Sequence, residues 1–238
     1  MVLLPLLADV VLLEPIPSFI NEAIRLSPKW RGITDASKSV TFLQGTLQEY
    51  DPRTPLPTTS SPTEASASPS TTSSRPVGKV LNLGRVGYQP PFPSVTKEEG
   101  EGFDVIWCQW CLGHLSDTEL VTFFKTCREA LRPQIDEEDV RTRSLIVVKE
   151  NVCFDGEDGS SRNEFDERDS SVTRWDYSYV PFCELPLQLM LCRSDQAWKA
   201  AFREAGLNLI KQQTQLGLPQ GLYIVNMYGR LSSPRHSR

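Results

Sequence analysis

FDVIWCQWCLGHL, residues 103–115, is the stretch whose reading decides the fold. Asp104–Cys108 is a short apolar run, rich in aromatics and without helical spacing, which is the pattern of a buried strand. Gln109, Trp110 and His114 stand where that strand should end. Ser116-Asp117-Thr118-Glu119 then reads as a capping box. Leu120, Phe123, Phe124, Cys127 and Leu131 follow it at the i, i+3, i+4 spacing of an amphipathic helix. The unit is strand, polar–aromatic turn, capped helix. In open α/β sheets ligands bind beyond the carboxyl ends of the strands, so Gln109, Trp110 and His114 are candidates for binding or chemistry. For any one of them taken alone, a plainer role weighs equally: a tryptophan covering the core, or a hydrogen-bonded loop histidine.

Downstream, Ser144–Glu150 (SLIVVKE) is a β-branched strand that should end at Glu150-Asn151, again polar at its carboxyl edge. Residues 155–170 form an acidic loop whose carboxylates do not follow the calcium-loop pattern. Asp169 and Ser171 lie where this loop returns to apolar sequence. Ser194 opens a helix with Ala197, Trp198, Ala201, Phe202 and Ala205 inward and Gly206 as its C-terminal cap. Residues 207–215 and 222–231, joined by LGLPQG, read as an antiparallel pair.

Upstream, Asp9–Glu14 (DVVLLE) is a buried strand ending in an acid, preceded by Met1–Ala8 as the tail of a helix and followed by a helix from Ser18. Residues 40–44 (VTFLQ) give another strand, leading into Gly45-Thr46-Leu47-Gln48. From Asp51 to Arg75 Pro, Ser and Thr dominate, so too little apolar surface is available to offset the entropy of ordering, and disorder is expected. KVLNLGRVG (79–87) invites a phosphate-loop reading, but Pro90, Pro91 and Pro93 follow it where a helix is needed.

Composition narrows the function classes. A net charge of −5 over 238 residues speaks against nucleic acid as a main partner, because phosphate binding calls for basic clusters. No run reaches about 18 uninterrupted apolar residues, so no membrane span is expected. The apolar N-terminus lacks the basic start and small-residue cleavage site of a signal peptide. Six cysteines placed within or beside regular elements suit a reducing, intracellular compartment. Cys108 and Cys111 have half of a zinc spacing without a second pair, so they read as packing thiols and no metal site is expected.

The order strand–helix–strand, loop, strand–helix–strand, loop, helix–strand–strand describes an α/β domain with an antiparallel pair at its end. With an acid ending one strand and polar residues ending the next three, it resembles the class I, Rossmann-like, seven-strand methyltransferases that use S-adenosylmethionine. DVIWCQWCLGHL, KEN, DSSVTR and GLPQGLY sharpen this to the protein α-N-terminal methyltransferases that modify Xaa-Pro-Lys amino termini. The resemblance spans most of residues 1–50, 103–151, 166–174 and 194–231.

That resemblance implies a role for each candidate. Glu14, with Pro15 and Ile16, would bind the ribose hydroxyls of S-adenosylmethionine. Leu47 and Gln48 would flank the adenine, and Gln109 would line the cofactor's edge. Trp110, His114, Ser171 and Tyr223 would form the substrate channel. Asn151 and Asp169 would hold the target amine, with Asp169 or His114 as proton acceptor. Glu150 stands where an aspartate is more usual. The implied partners are protein N-termini, ribosomal proteins among them, and the implied location is cytoplasm and nucleus.

The implied organisation is residues 1–50 as part of the cofactor half and 51–78 as a disordered insert. Residues 79–231 would be the remainder with the substrate channel, and 232–238 a tail. The family's first strand and Gly-rich turn have no counterpart here, so the chain is expected to be truncated at its N-terminus, to hold the cofactor weakly and to show little or no transferase activity as written. Its sheet is then expected to split into the family's second and third strands and a group ordered 4–5–7–6. Two other readings stand beside the enzyme: a pseudoenzyme that binds peptides, and a methyltransferase with a small-molecule acceptor.

Overall fold

A computed structural model describes residues 4–54, 79–85, 102–133, 144–165, 191–219 and 223–232. The chain divides into two compact units, Met1–Phe92 and Pro93–Arg238.

In the first unit β1 (Asp9–Glu14) lies parallel to β2 (Ser39–Gln44), Glu14 opposite Gln44, with helix α1 (Pro17–Leu26) between them in sequence. Both strands read as apolar runs, and their parallel pairing requires the helical crossover that α1 provides. Val10, Ile20, Ile33, Val40 and Phe42 form the core, with the Trp30 ring 5.9 Å from Phe42. The helix starts one residue earlier than expected, at Pro17. Proline suits the first helical turn, where its missing N–H is not needed, and Ile16 serves as an N-cap without a side-chain bond.

Residues 4–6 form a turn and not the tail of a helix. The Lys38 ammonium donates to the carbonyls of Leu4 and Leu7, so the Leu4 acceptor, which a helix would have offered to the Ala8 amide, is held from outside the segment. Residues 1–3 lie outside the described residues. β3 (Lys79–Gly84) pairs antiparallel with β2, so the apolar run at 79–84 is a strand with a structural glycine. Gly84 has φ +95°, and a Cβ there would lie 2.2 Å from the Lys38 carbonyl oxygen. The insert from residue 55 to 78 and residues 86 and 87 lie outside the described residues.

The second unit is built on a six-stranded sheet. β4 (Val105–Gln109) pairs parallel with β5 (Leu145–Cys153), and β5 pairs antiparallel with β9 (Ile224–Ser232). β8 (Leu207–Thr214) completes the antiparallel pair read from the sequence. Helix α2 (Asp117–Ala130) has the predicted capping box, with both reciprocal bonds between Ser116 and Glu119. Helix α3 (Asp195–Glu204) is capped by Ser194. Their apolar faces meet around Phe202, whose ring lies 5.1 Å from Phe124 and 5.4 Å from Tyr228. Burying side chains of this size contributes about 1.5–3 kcal/mol each.

Two elements escaped the sequence reading: β6 (Asn163–Phe165), inside the acidic loop, and β7 (Leu191–Ser194). Their presence explains why β5 runs on to Cys153 instead of ending at Glu150-Asn151. Along one side β5 pairs with β4 as far as Lys149, then with β7 from Val152. Among the described residues β1 and β4 are each paired on one side only.

Candidate active site

The carboxyl ends of β1 and β2 carry five of the sequence-predicted residues. Glu14 closes β1, and its Oε1 accepts the Ile16 N–H at 2.9 Å, which folds Pro15 and Ile16 over the strand end. The Glu14 carboxyl is half-buried. Burial raises its pKa above the ordinary 4.5, and the Ile16 N–H offsets part of that rise. Pro15 and Ile16 are exposed. Beyond β2 the chain turns through Thr46–Glu49, where the Thr46 N–H donates to the Glu49 carboxylate at 3.1 Å. This turn leaves Leu47 half-buried and Gln48 exposed. Because β1 and β2 are parallel and in register, both turns emerge from the same edge of the sheet. An acid able to accept from hydroxyls, an apolar wall and an amide share that edge.

The corresponding edge of the second unit carries five more. Gln109 ends β4, exposed, with its Oε1 accepting from the Trp107 indole at 3.2 Å. Trp110 follows at φ +52°, a left-handed conformation unusual for a bulky side chain. Its backbone N–H donates to the Lys149 carbonyl at 3.1 Å, and the Lys149 ammonium lies 4.7 Å from its ring centroid. The indole is 46% exposed, so a face of this size is held at the strand end without being spent on the core. His114 closes the single helical turn Leu112–His114 and is exposed.

What holds this turn is Glu150. Its buried Oε1 accepts the N–H groups of both Cys111 and Leu112 at 2.9 Å. Strand alternation then puts Asn151 on the opposite face of β5, the face of Lys149 whose ammonium lies on Trp110. Asn151 sits in the gap where β4 has ended and β7 has not begun, paired with Val225 of β9. Tyr223 immediately precedes β9, next to the carboxyl end of β5.

Gln109, Trp110, His114, Asn151 and Tyr223 therefore share one sheet edge, while Asp169 and Ser171 lie outside the described residues. Cys108 is buried, and a hydrogen bond with Cys111 and desolvation push its thiol well above the usual range. Cys111 is half-buried. No group of three or more His, Cys, Asp or Glu that could hold a metal occurs among the described residues. Sequence reasoning missed the anchoring role of Glu150 and the buried Arg193 of β7, which donates to the carbonyls of Leu112 and Leu115 in the same turn. A buried arginine in a segment without periodicity leaves no pattern to read; its only sign is a charge placed between Cys192 and a helix cap.

A family model described as AdoMet dependent proline di-methyltransferase matches residues 67–184 and 187–230, roughly two thirds of the chain. The chain belongs to that family. Among relatives of this proline dimethyltransferase family, an "Alpha N-terminal protein methyltransferase 1" of Arabidopsis thaliana is 34% identical over 138 residues, 58% of this chain and 37% of its own. One of the same name from Schizosaccharomyces pombe is 31% identical, over 62% of this chain and 48% of its own. An "N-terminal Xaa-Pro-Lys N-methyltransferase 1" of Danio rerio is 33% identical, over 53% and 41%. The chain spans less than half the length of these relatives. A solved SAM-dependent methyltransferase of Leishmania major matches 96% of this chain and 57% of its own, with TM-score 0.53 and 23% identity. That likeness shows the fold to be of the class I methyltransferase kind.

Proposed function

We propose that this protein transfers methyl groups from S-adenosylmethionine to the α-amine of protein N-termini beginning Xaa-Pro-Lys. The observation that carries the reading is the edge of β4 and β5. There an exposed indole held at φ +52° and His114 stand beyond the end of β4, with Asn151 on β5 beside the gap that β4 leaves. Family membership and the names of the relatives support it.

The residues present fit the cofactor. Glu14 has an acceptor carboxylate at the end of β1, as ribose hydroxyls require, and Leu47 with Gln48 offers an apolar wall and an amide on the same edge. Gln109, in the second unit, is the remaining residue that the resemblance assigns to the cofactor. S-adenosylmethionine, when bound, supplies an electrophilic methyl group. The chain's own task is then positioning. Trp110 and Tyr223 wall the acceptor peptide, and Ser171 assists. Asn151 orients the amine through its carbonyl oxygen, and Asp169 or His114 takes up the proton. An α-amine with a pKa of about 7.7–8.0 offers enough neutral nucleophile near physiological pH. We further place ribosomal proteins among the substrates and the protein in cytoplasm and nucleus. The six cysteines, placed within or beside regular elements of the sequence, support a reducing compartment.

The test is release of S-adenosylhomocysteine by stoichiometric protein with an Xaa-Pro-Lys peptide, beside the same peptide acetylated at its N-terminus. Release with the free peptide alone is expected. Equal release with both removes the α-amine from the reaction. Peptide binding without any release leaves a binding module in place of the enzyme.

A further inference from the structure

The turn carrying Trp110 and His114 is gripped from two sides, and only one grip comes from its own sheet neighbour. Glu150, on β5, takes the N–H groups of Cys111 and Leu112. The carbonyls of the same turn are taken by Arg193, on β7. Its Nη1 donates to the Leu112 carbonyl at 3.4 Å and its Nη2 to the Leu115 carbonyl at 2.5 Å. Nε donates to the Asp117 carboxylate at 2.9 Å, at the first residue of α2. The side chain is 1% exposed, and its guanidinium lies 5.4 Å from the Trp198 ring centroid. Asn163 of β6 donates to the other Asp117 oxygen at 2.9 Å, fixing the carboxylate that orients the guanidinium.

A buried cation is costly, and a helix cap needs none: Ser116 and Glu119 already cap α2. Three of the guanidinium nitrogens fan out to two carbonyls and one carboxylate, a planar fork that lysine cannot reproduce. The carbonyls it holds flank His114, one two residues before it and one directly after. With Glu150 on the amides, the path of the backbone from Cys111 to Leu115 is set between a fixed acid and a fixed base.

We propose that Arg193 is a positioning residue for methyl transfer. Acting through the Leu112 and Leu115 carbonyls, it fixes where the turn presents His114 and Trp110 to the acceptor peptide. The role in transfer rests on the function proposed above, whereas the hold on the turn does not.

The experiment is nuclear magnetic resonance of the full chain, wild type and Arg193→Lys, with peptide methylation measured in parallel. The chain has only two histidines, at 114 and 236, so the His114 ring signals are readily assigned. Arg193→Lys should shift or broaden the His114 ring signals and the amides of residues 111–115. Turnover should fall by about 10²-fold, as expected for a reacting group displaced by about 1 Å, with cofactor affinity unchanged. Leu207→Ala, a buried substitution away from the turn, is the control for lost stability. It should lower Tm without moving those signals. If Arg193→Lys does not fold, Asp117→Asn keeps the guanidinium and removes its ionised partner. The same signals should then move, by less. Unmoved turn signals in the folded variant, or equal movement in the Leu207→Ala control, overturn the proposal. Absence of methylation by the wild type, with the signals moving as described, overturns the proposed function and leaves the hold of Arg193 standing.

Discussion

Two glutamates, Glu14 ending β1 and Glu150 on β5 just past the end of β4, do opposite things. Glu150 is 3% exposed and spends one oxygen on two backbone N–H groups, so it holds a turn. Glu14 is half-buried, takes one N–H from Ile16, and has a carboxyl whose charge is disfavoured by its surroundings. An acid already spent on backbone donors is part of the scaffold. One kept at a strand end against its own desolvation cost is available to a ligand.

The contrast is broken most easily by activity. Asp169→Asn should lower turnover by about 10²–10⁴-fold, the usual span for a general base, and Asn151→Ala by about 10²-fold. Neither should change cofactor affinity. Glu14→Gln should do the reverse, weakening S-adenosylmethionine binding by about 10–100-fold, the loss of a hydrogen bond to a charged group. Calorimetric titration and steady-state rates separate the two; a turnover defect in Glu14→Gln at saturating cofactor would merge the regions.

Stability separates the glutamates the other way. Glu150→Ala leaves two amides without their acceptor, at about 1–3 kcal/mol each where they stay buried, whereas Glu14→Ala should change urea unfolding by less than about 1 kcal/mol. Similar losses would show that both acids are structural.

Protonation sharpens the comparison further. Because burial raises the Glu14 pKa above 4.5, the folded state resists its ionisation. The group therefore costs stability above its folded pKa, and that cost is gone below its unfolded value. Cofactor affinity should move oppositely, falling as pH drops through a midpoint above 4.5 in the wild type. The same midpoint in Glu14→Gln would assign the effect elsewhere.

The smallest effect concerns Trp110. A left-handed backbone at a non-glycine residue costs about 1–3 kcal/mol, and glycine returns part of that in unfolded-state entropy. Trp110→Gly should therefore raise stability by about 0.5–1 kcal/mol while peptide affinity is lost. A destabilised variant would mean that the indole packs as core.

Much of this was legible in the sequence, for physical reasons. Asp9–Glu14 announced itself as an apolar run ending in an acid, and Ser116 with Glu119 as a cap, because both patterns are local. Trp110 and His114 were placed past a strand end by the break in periodicity after the apolar run; the same break at Asn151 misled, because β5 runs on to Cys153 to pair with β7. β6, β7 and Arg193 were not legible. Each is defined by partners distant in sequence, Arg193 by Leu112, Leu115 and Asp117, and no local spacing records such pairings. The turn at 4–6 was misread as helix because Lys38, more than thirty residues away, decides where its carbonyls go.

Locating the transferred methyl tests the account most directly. An Xaa-Pro-Lys peptide incubated with S-adenosylmethionine and stoichiometric protein, then fragmented in a mass spectrometer, should carry its added methyl on the nitrogen of its first residue. With the amine acetylated, it should carry none. A methyl found on the lysine side chain, or no methyl on the free peptide, would contradict it.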